Sequence, residues 1–267
     1  MPPKLKLPCP RSLLSLLLLG LPLTVAAAQE AAEIRQALSV GAYVASGDFG
    51  LPLTTDIVYL PLGYEVNRGN WGLQLLLPAL QVDGPGAVLI NLGGLDRAVA
   101  GTQRSRQRGL GDSIGSVIYR FDPIASGAPF IDLRLDVKFP TADADKGLGT
   151  GELDYQLQLD LSQAFGRVLG FASLGYNRRG KSERYSGLKN SAYAQLGLAT
   201  NLSPRLAAGA FYDYRAAPSA FTPESHELSP YVSWQLARRW SLTTLATRGF
   251  TAASAEWSLY SVLRYAW

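Results

Sequence analysis

The chain has one cysteine, one histidine and one methionine in 267 residues, and only 17% of its residues are charged. Long apolar runs are missing too. The longest, Leu13–Leu23, is about 11 residues against the ~20 that a membrane-spanning helix needs. That excludes an inner-membrane helical protein. Cys9 precedes this stretch instead of following it, so it is not placed for lipid attachment. With Lys4, Lys6 and Arg11 before the stretch and Ala26, Ala27 and Ala28 after it, Met1–Ala28 reads as a secretory signal peptide cleaved between Ala28 and Gln29. The exported chain then has no thiol. Disulfides, thiolate metal sites and cysteine nucleophiles are excluded, although an oxidising compartment would permit disulfides.

Excess charge of one sign is lacking as well. Setting aside the three basic residues of the signal from the chain's 25 Lys and Arg leaves 22 against 21 Asp and Glu. At that balance no general affinity for nucleic acid is expected.

What is present is alternation. Phe130–Phe139 (FIDLRLDVKF) sets Ile131, Leu133, Leu135, Val137 and Phe139 on one face and Asp132, Arg134, Asp136 and Lys138 on the other. Leu153–Ser162 (LDYQLQLDLS) repeats the pattern, with Asp154 and Asp160 on its polar face. Segments of this kind recur about twelve times from Leu38 to Trp267, roughly ten residues each. The apolar face of Ser241–Phe250 is ambiguous. The connections alternate in length: Asn67–Asn70, Ala164–Arg167, Ser203–Pro204 and Arg238–Arg239 are tight, while Ser46–Thr55, Asp83–Arg108, Pro140–Glu152, Arg179–Lys189 and Ala216–His226 are long. The expectation is an all-β fold: a transmembrane antiparallel up-and-down β-barrel of about 12 strands, with short periplasmic turns and longer extracellular loops, in the bacterial outer membrane. Residues 1–28 are the signal, 29–37 a short periplasmic segment and 38–267 the barrel.

The competing all-β architecture is a soluble secreted sandwich. Aromatic placement argues for the membrane: Trp71, Trp234, Trp240 and Trp267 fall at short-turn ends, and Tyr59, Tyr176, Tyr193, Tyr212, Tyr214 and Trp257 towards long-loop ends, as two interfacial belts would require. Trp71, Trp234, Trp240 and Trp257 are the expected girdle. Leu259, Leu263, Tyr265 and Trp267 alternate in a last strand that ends on an aromatic residue. Leu263, Tyr265 and Trp267 match the C-terminal signal read by the barrel-assembly machinery.

Four stretches, SGDFGLPLTTDIVYLPLGYEV (Ser46–Val66), WGLQLLLPALQVDGPG (Trp71–Gly86), GLGDSIGSVIYRF (Gly109–Phe121) and FPTADADKGLGTGELDY (Phe139–Tyr155), resemble the outer-membrane family of MetA-pathway phenol degradation proteins. The resemblance runs from about Val40 to Trp267. It implies a monomeric or loosely associated barrel that passes small, often aromatic or apolar, molecules. Gln29–Leu38 is too short for an N-terminal plug.

Candidate lumen-lining residues are Asp132, Arg134, Asp136, Lys138, Asp154 and Asp160, whose opposite charges can pair across the ladder. Two readings stay open, a wet polar pore and a salt-bridged interior that conducts little. The loop Asp83–Arg108 carries the apolar run Ala87–Leu92 and several arginines, fitting either a loop that folds into the lumen or strand extensions above the membrane. Arginines there and at Arg178, Arg179 and Arg184 suit the phosphates of lipopolysaccharide, the expected partner along with outer-membrane lipid and a small solute. Asp143, Asp145 and Glu152 do not follow EF-hand spacing. No metal and no cofactor is expected. An outer-membrane acyl hydrolase would need His226 as its base, but Ser225 beside it on a strand points the other way. The chain is therefore not expected to be an enzyme.

Overall fold

The computed structural model describes residues 33–49, 53–84, 88–91, 94–97, 105–182, 187–219 and 222–267. The signal peptide lies outside the described residues. The strands are β1 (Arg35–Gly47), β2 (Thr55–Arg68), β3 (Trp71–Gly84), β4 (Val88–Asn91), β5 (Gly94–Arg97), β6 (Ser105–Leu110), β7 (Ser113–Phe121), β8 (Phe130–Phe139), β9 (Asp154–Phe165), β10 (Val168–Arg178), β11 (Ser191–Ser203), β12 (Leu206–Arg215), β13 (Ser225–Ala237), β14 (Trp240–Gly249) and β15 (Trp257–Ala266).

Each barrel strand pairs antiparallel with its sequence neighbour, and β1 pairs with both β2 and β15, which closes the sheet. The result is a barrel of 12 strands. β6 and β7 count as one of them: both pair with β3, with a one-residue shift at Gly111 and Asp112, where the amide of Gly111 donates to the carbonyl of Pro78 at 2.9 Å. Closure leaves no open edge along the span, which lipid requires because it cannot hydrogen-bond a free backbone group. Trp267 completes it by exchanging two backbone bonds of 2.9 Å with Gln36. β1 begins at Arg35, inside the segment expected to be periplasmic.

Inside and outside alternate residue by residue. Along β9, Asp154, Gln156, Gln158 and Asp160 are buried while Tyr155 and Leu157 are exposed. Leucines dominate the outer face, among them Leu60, Leu62, Leu73, Leu75, Leu77, Leu133, Leu135, Leu196 and Leu198, as a lipid-facing surface requires. The short turns reverse on glycines with positive φ, Gly69 at 55° and Gly166 at 63°, where a Cβ would be strained. On β14 the ambiguity resolves with Ser241, Thr243, Leu245 and Thr247 inward and Ala246 and Arg248 outward. Part of the long loop after β3 is a separate hairpin of β4 and β5.

Candidate functional site

The inner wall has two chemically distinct parts. The first lies on β7, β8 and β9 with the adjoining positions of β3, β10 and β11. Gln74, Ser116, Asp136, Gln156, Asn177 and Ser191 are successive Cα partners across six strands, so one register row is entirely polar. Arg134 donates to Asp136 at 2.6 Å, to Gln74 at 2.9 Å and to Ser116 at 2.8 Å. Gln156 donates to the other oxygen of Asp136 at 2.9 Å. Gln158 donates to both oxygens of Asp160 and accepts from the hydroxyl of Tyr193. Lys138 lies 2.8 Å from Asp112 and 3.0 Å from Asp154. Arg134, Asp136 and Lys138 are 3%, 2% and 1% exposed, so every charge there must be met by protein.

The second part is apolar and largely aromatic. Leu80, Tyr59, Tyr43, Tyr260, Leu245, Tyr231, Gly209, Ala199 and Leu169 are successive Cα partners from β3 through β2, β1 and β15 down to β10. Leu80 is four residues from the long-loop end of β3 and Leu169 is the second residue of β10, so the row runs from the upper part of the strands to their short-turn end. Phe211 joins it, with its ring 6.5 Å from Phe171 and 6.3 Å from Tyr231. Glycines make room for the rings on this wall. A Cβ at Gly197 would come within 2.1 Å of Phe171, and one at Gly175 within 2.1 Å of the Tyr193 ring. Ion pairs flank the row along the strands: Asp213 with Arg215 at 2.6 Å on β12 beyond Gly209, and Glu65 of β2 with Arg264 of β15 at 3.4 Å on the other side.

The structure puts Asp132, Arg134, Asp136, Lys138, Asp154 and Asp160 on the inner wall, Asp132 opposite Asp160 in register. Trp71, Trp234, Trp240 and Trp257 face outward, and Trp71 meets Tyr119 edge-on at 4.8 Å. Leu263 and Trp267 are exposed on the outer face, and Tyr265 stacks on Trp267 at 5.5 Å. Tyr59 and Tyr193 are corrections: both are buried on the inside, not in the extracellular belt. Tyr59 shares its parity with Ile57 and not with Leu60, so its nearness to a strand end is irrelevant to the face it takes. Sequence reasoning missed the aromatic row as a unit, since its members are neighbours only across strands.

His226 faces out, with Nδ1 2.5 Å from the hydroxyl of Tyr212 and its ring 5.1 Å from that of Tyr214. Ser225 bonds instead to Ser254 at 3.0 Å, Ser229 to Thr247 at 2.7 Å and Ser233 to Thr243 at 2.9 Å, all on the other face. Asp143 accepts from the amides of Asp145 and Lys146 and pairs with the Lys146 ammonium at 3.2 Å, which holds its carboxyl below the ordinary range. Its oxygens are committed to a turn.

A closed antiparallel barrel with a leucine-covered outside, tryptophans at the strand ends and a polar-to-aromatic inside defines an outer-membrane type of transmembrane β-barrel. Among solved structures similar in fold are an outer membrane channel from Pseudomonas putida F1 (TM-score 0.64, 13% identity, 90% of this chain and 97% of that one) and the translocator domain of the autotransporter NalP from Neisseria meningitidis (0.53, 11%, 87% and 88%). KdgM porin is similar at a TM-score of 0.50 and 8% identity, over 86% of this chain and 98% of its own. At such identities the likeness is one of fold. No curated protein matches the chain in sequence. The family model described as "Putative MetA-pathway of phenol degradation" matches residues 36–264, and the chain belongs to that family.

Proposed function

We infer that the protein is an outer-membrane channel for small solutes with apolar or aromatic surface, moving along the inner wall. The observation that carries this reading is the row from Leu80 to Leu169. Lipid contact demands apolar residues outside, not inside, and a wall meant only for ions and water would be polar throughout. Leu80, Tyr59, Tyr260, Leu245 and Tyr231 are 1–5% exposed, so an apolar solute would meet the row as these side chains part along the wall. Its partners would be outer-membrane lipid, lipopolysaccharide at the extracellular arginines, and the assembly machinery that reads Leu263, Tyr265 and Trp267. Catalysis is no part of this reading, because the imidazole of His226 and the inward serines lie on opposite faces of the sheet.

The test is conductance in planar bilayers of the refolded mature chain, with uptake of a small aromatic solute into vesicles beside it. Uptake that falls on Tyr231→Ser while ion selectivity holds, and selectivity that changes on Asp132→Asn while uptake holds, is the expected pattern. A second reading has its own support: Lys138, Asp136 and Gln158 are 1%, 2% and 0% exposed, a packed interior that would suit a closed structural barrel. Neither current nor uptake in any variant would favour it.

A further inference from the structure

In the connection between β8 and β9, residues 140–153, Leu148, Gly149 and Thr150 turn into the barrel while Asp143, Asp145 and Lys146 stay exposed. Leu148 in it is 1% exposed and belongs to the inner apolar cluster with Leu76, Leu80 and Ile114. Its Cδ1 occupies space left by Gly109 of β6, where an added Cβ would stand 2.8 Å from it. Gly147 and Gly151 flank it at φ 70° and 75°, a conformation that reverses the loop around the leucine. The start of the loop is fixed to the wall: the hydroxyl of Thr141 donates to the carbonyl of Gly111 at 3.1 Å and accepts from the amide of Ser113 at 2.8 Å, and the amide of Ala142 donates to Asp112 at 3.0 Å. The tip is held by the buried ammonium of Lys138 and by Ser182, whose hydroxyl donates to the carbonyl of Thr150 at 2.9 Å. Lys138 donates to Thr150 at 2.8 Å while paired with Asp112 and Asp154. The second oxygen of Asp154 accepts from the amide of Gly180 at 2.7 Å, so the following connection is tied to the same cluster.

We propose that residues 140–153 are the extracellular gate of the barrel, with Leu148 the plug and Lys138 the latch that holds it shut through Thr150. This rests on the channel reading above. Opening pivots beyond Ala142, withdraws Leu148 and breaks the bonds from Lys138 and Ser182 to Thr150. Both ion pairs of Lys138 survive, because Asp112 and Asp154 belong to the wall and not to the moving tip. A gate built this way separates its two costs: the charge cluster stays neutralised in either state, and the balance is set by one leucine's burial and the two hydrogen bonds that Lys138 and Ser182 make to Thr150.

Residues 29–267 contain no cysteine, so Leu148→Cys and Asp145→Cys each give a single thiol in the refolded barrel. Correct folding is checked by heat-modifiable migration on gels. A charged thiol reagent should label Leu148→Cys roughly tenfold or more slowly than the exposed Asp145→Cys, and adding Thr150→Val should raise the rate at position 148 by roughly tenfold. The open fraction of single channels should rise by a similar factor in Thr150→Val and in Leu148→Ser. Equal labelling at positions 148 and 145, or no change on Thr150→Val, overturns the gate. Steady wild-type current with Leu148→Cys protected keeps the channel and overturns the gate. Faster labelling on Thr150→Val with no current in any variant keeps the moving loop and overturns the channel.

Discussion

On β8 and β9 the inner wall is charged and hydrogen-bonded at successive positions, whereas across β13, β14, β15, β1 and β2 it is mainly aromatic, aliphatic or hydroxyl-bearing. Both parts fill a barrel of one width, but they are specified differently. In the polar part each long side chain satisfies its neighbours: Arg134 alone spends its donors on β8, β3 and β7. Such a network is stable only when complete, since a buried charge left alone costs several kcal/mol. In the aromatic part the fit is steric. Phe171 and Phe211 both approach Gly197, from the strands on either side, and no directional bond fixes them. The polar part is therefore sensitive to lost partners and the aromatic part to added atoms.

The largest effect expected from this contrast is Lys138→Met, which leaves Asp112 and Asp154 buried without a counter-charge. About 3–5 kcal/mol should be lost, read from the urea midpoint of barrels folded into lipid vesicles. A loss under about 1 kcal/mol would mean that the polar part is not a closed network.

Next comes the aromatic part, where Gly197→Ala places a Cβ 2.1 Å from Phe171. Roughly 1–3 kcal/mol should be lost to overpacking, by the same measurement. Gly115→Ala on the outward side of β7 is the control, because its Cβ meets only the edge of the Phe139 ring at 3.3 Å. Equal losses at the two glycines would remove the steric account.

The smallest effect separates the exposed loop from both parts of the wall. The Asp143 carboxyl is held down by its hydrogen bond to Lys146 from an ordinary value of 3.8. A depressed carboxyl stabilises above its unfolded pKa and loses that contribution as the pH falls through the folded value. Acidification below the ordinary value should thus speed amide exchange at Asp145 and Lys146 while the barrel's unfolding midpoint stays put. A midpoint that moved in step with this turn would tie the loop to the wall's stability.

Much of the molecule was legible beforehand where a residue's own neighbours in sequence carry the information. The alternation in Phe130–Phe139 already separates Leu133 from Arg134, and the spacing of tight and long connections already orders the strands. Tyr59 and Tyr193 lie inside although both are near strand ends, because parity along the strand, not nearness to its end, decides the face. The inward Leu148 is invisible in the sequence for a different reason: residues 140–153 have no period, and what receives residues 148–150 is Gly109 and Lys138 on other strands and Asp112 between β6 and β7.

The sequence by itself determined that the chain forms about twelve amphipathic strands with a polar and an apolar face, because a strand's period of two is a local property. It also determined that stability could not come from disulfides in the exported chain, which has no thiol. Only the tertiary structure decided which strands stand side by side and in what register. That pairing turns scattered tyrosines, leucines and glycines into one apolar row, and scattered charges into a network around Arg134 and Lys138. The physical reason is that cross-strand contacts join residues far apart in the chain, as Glu65 and Arg264 are, and register is set by closing the whole barrel at once.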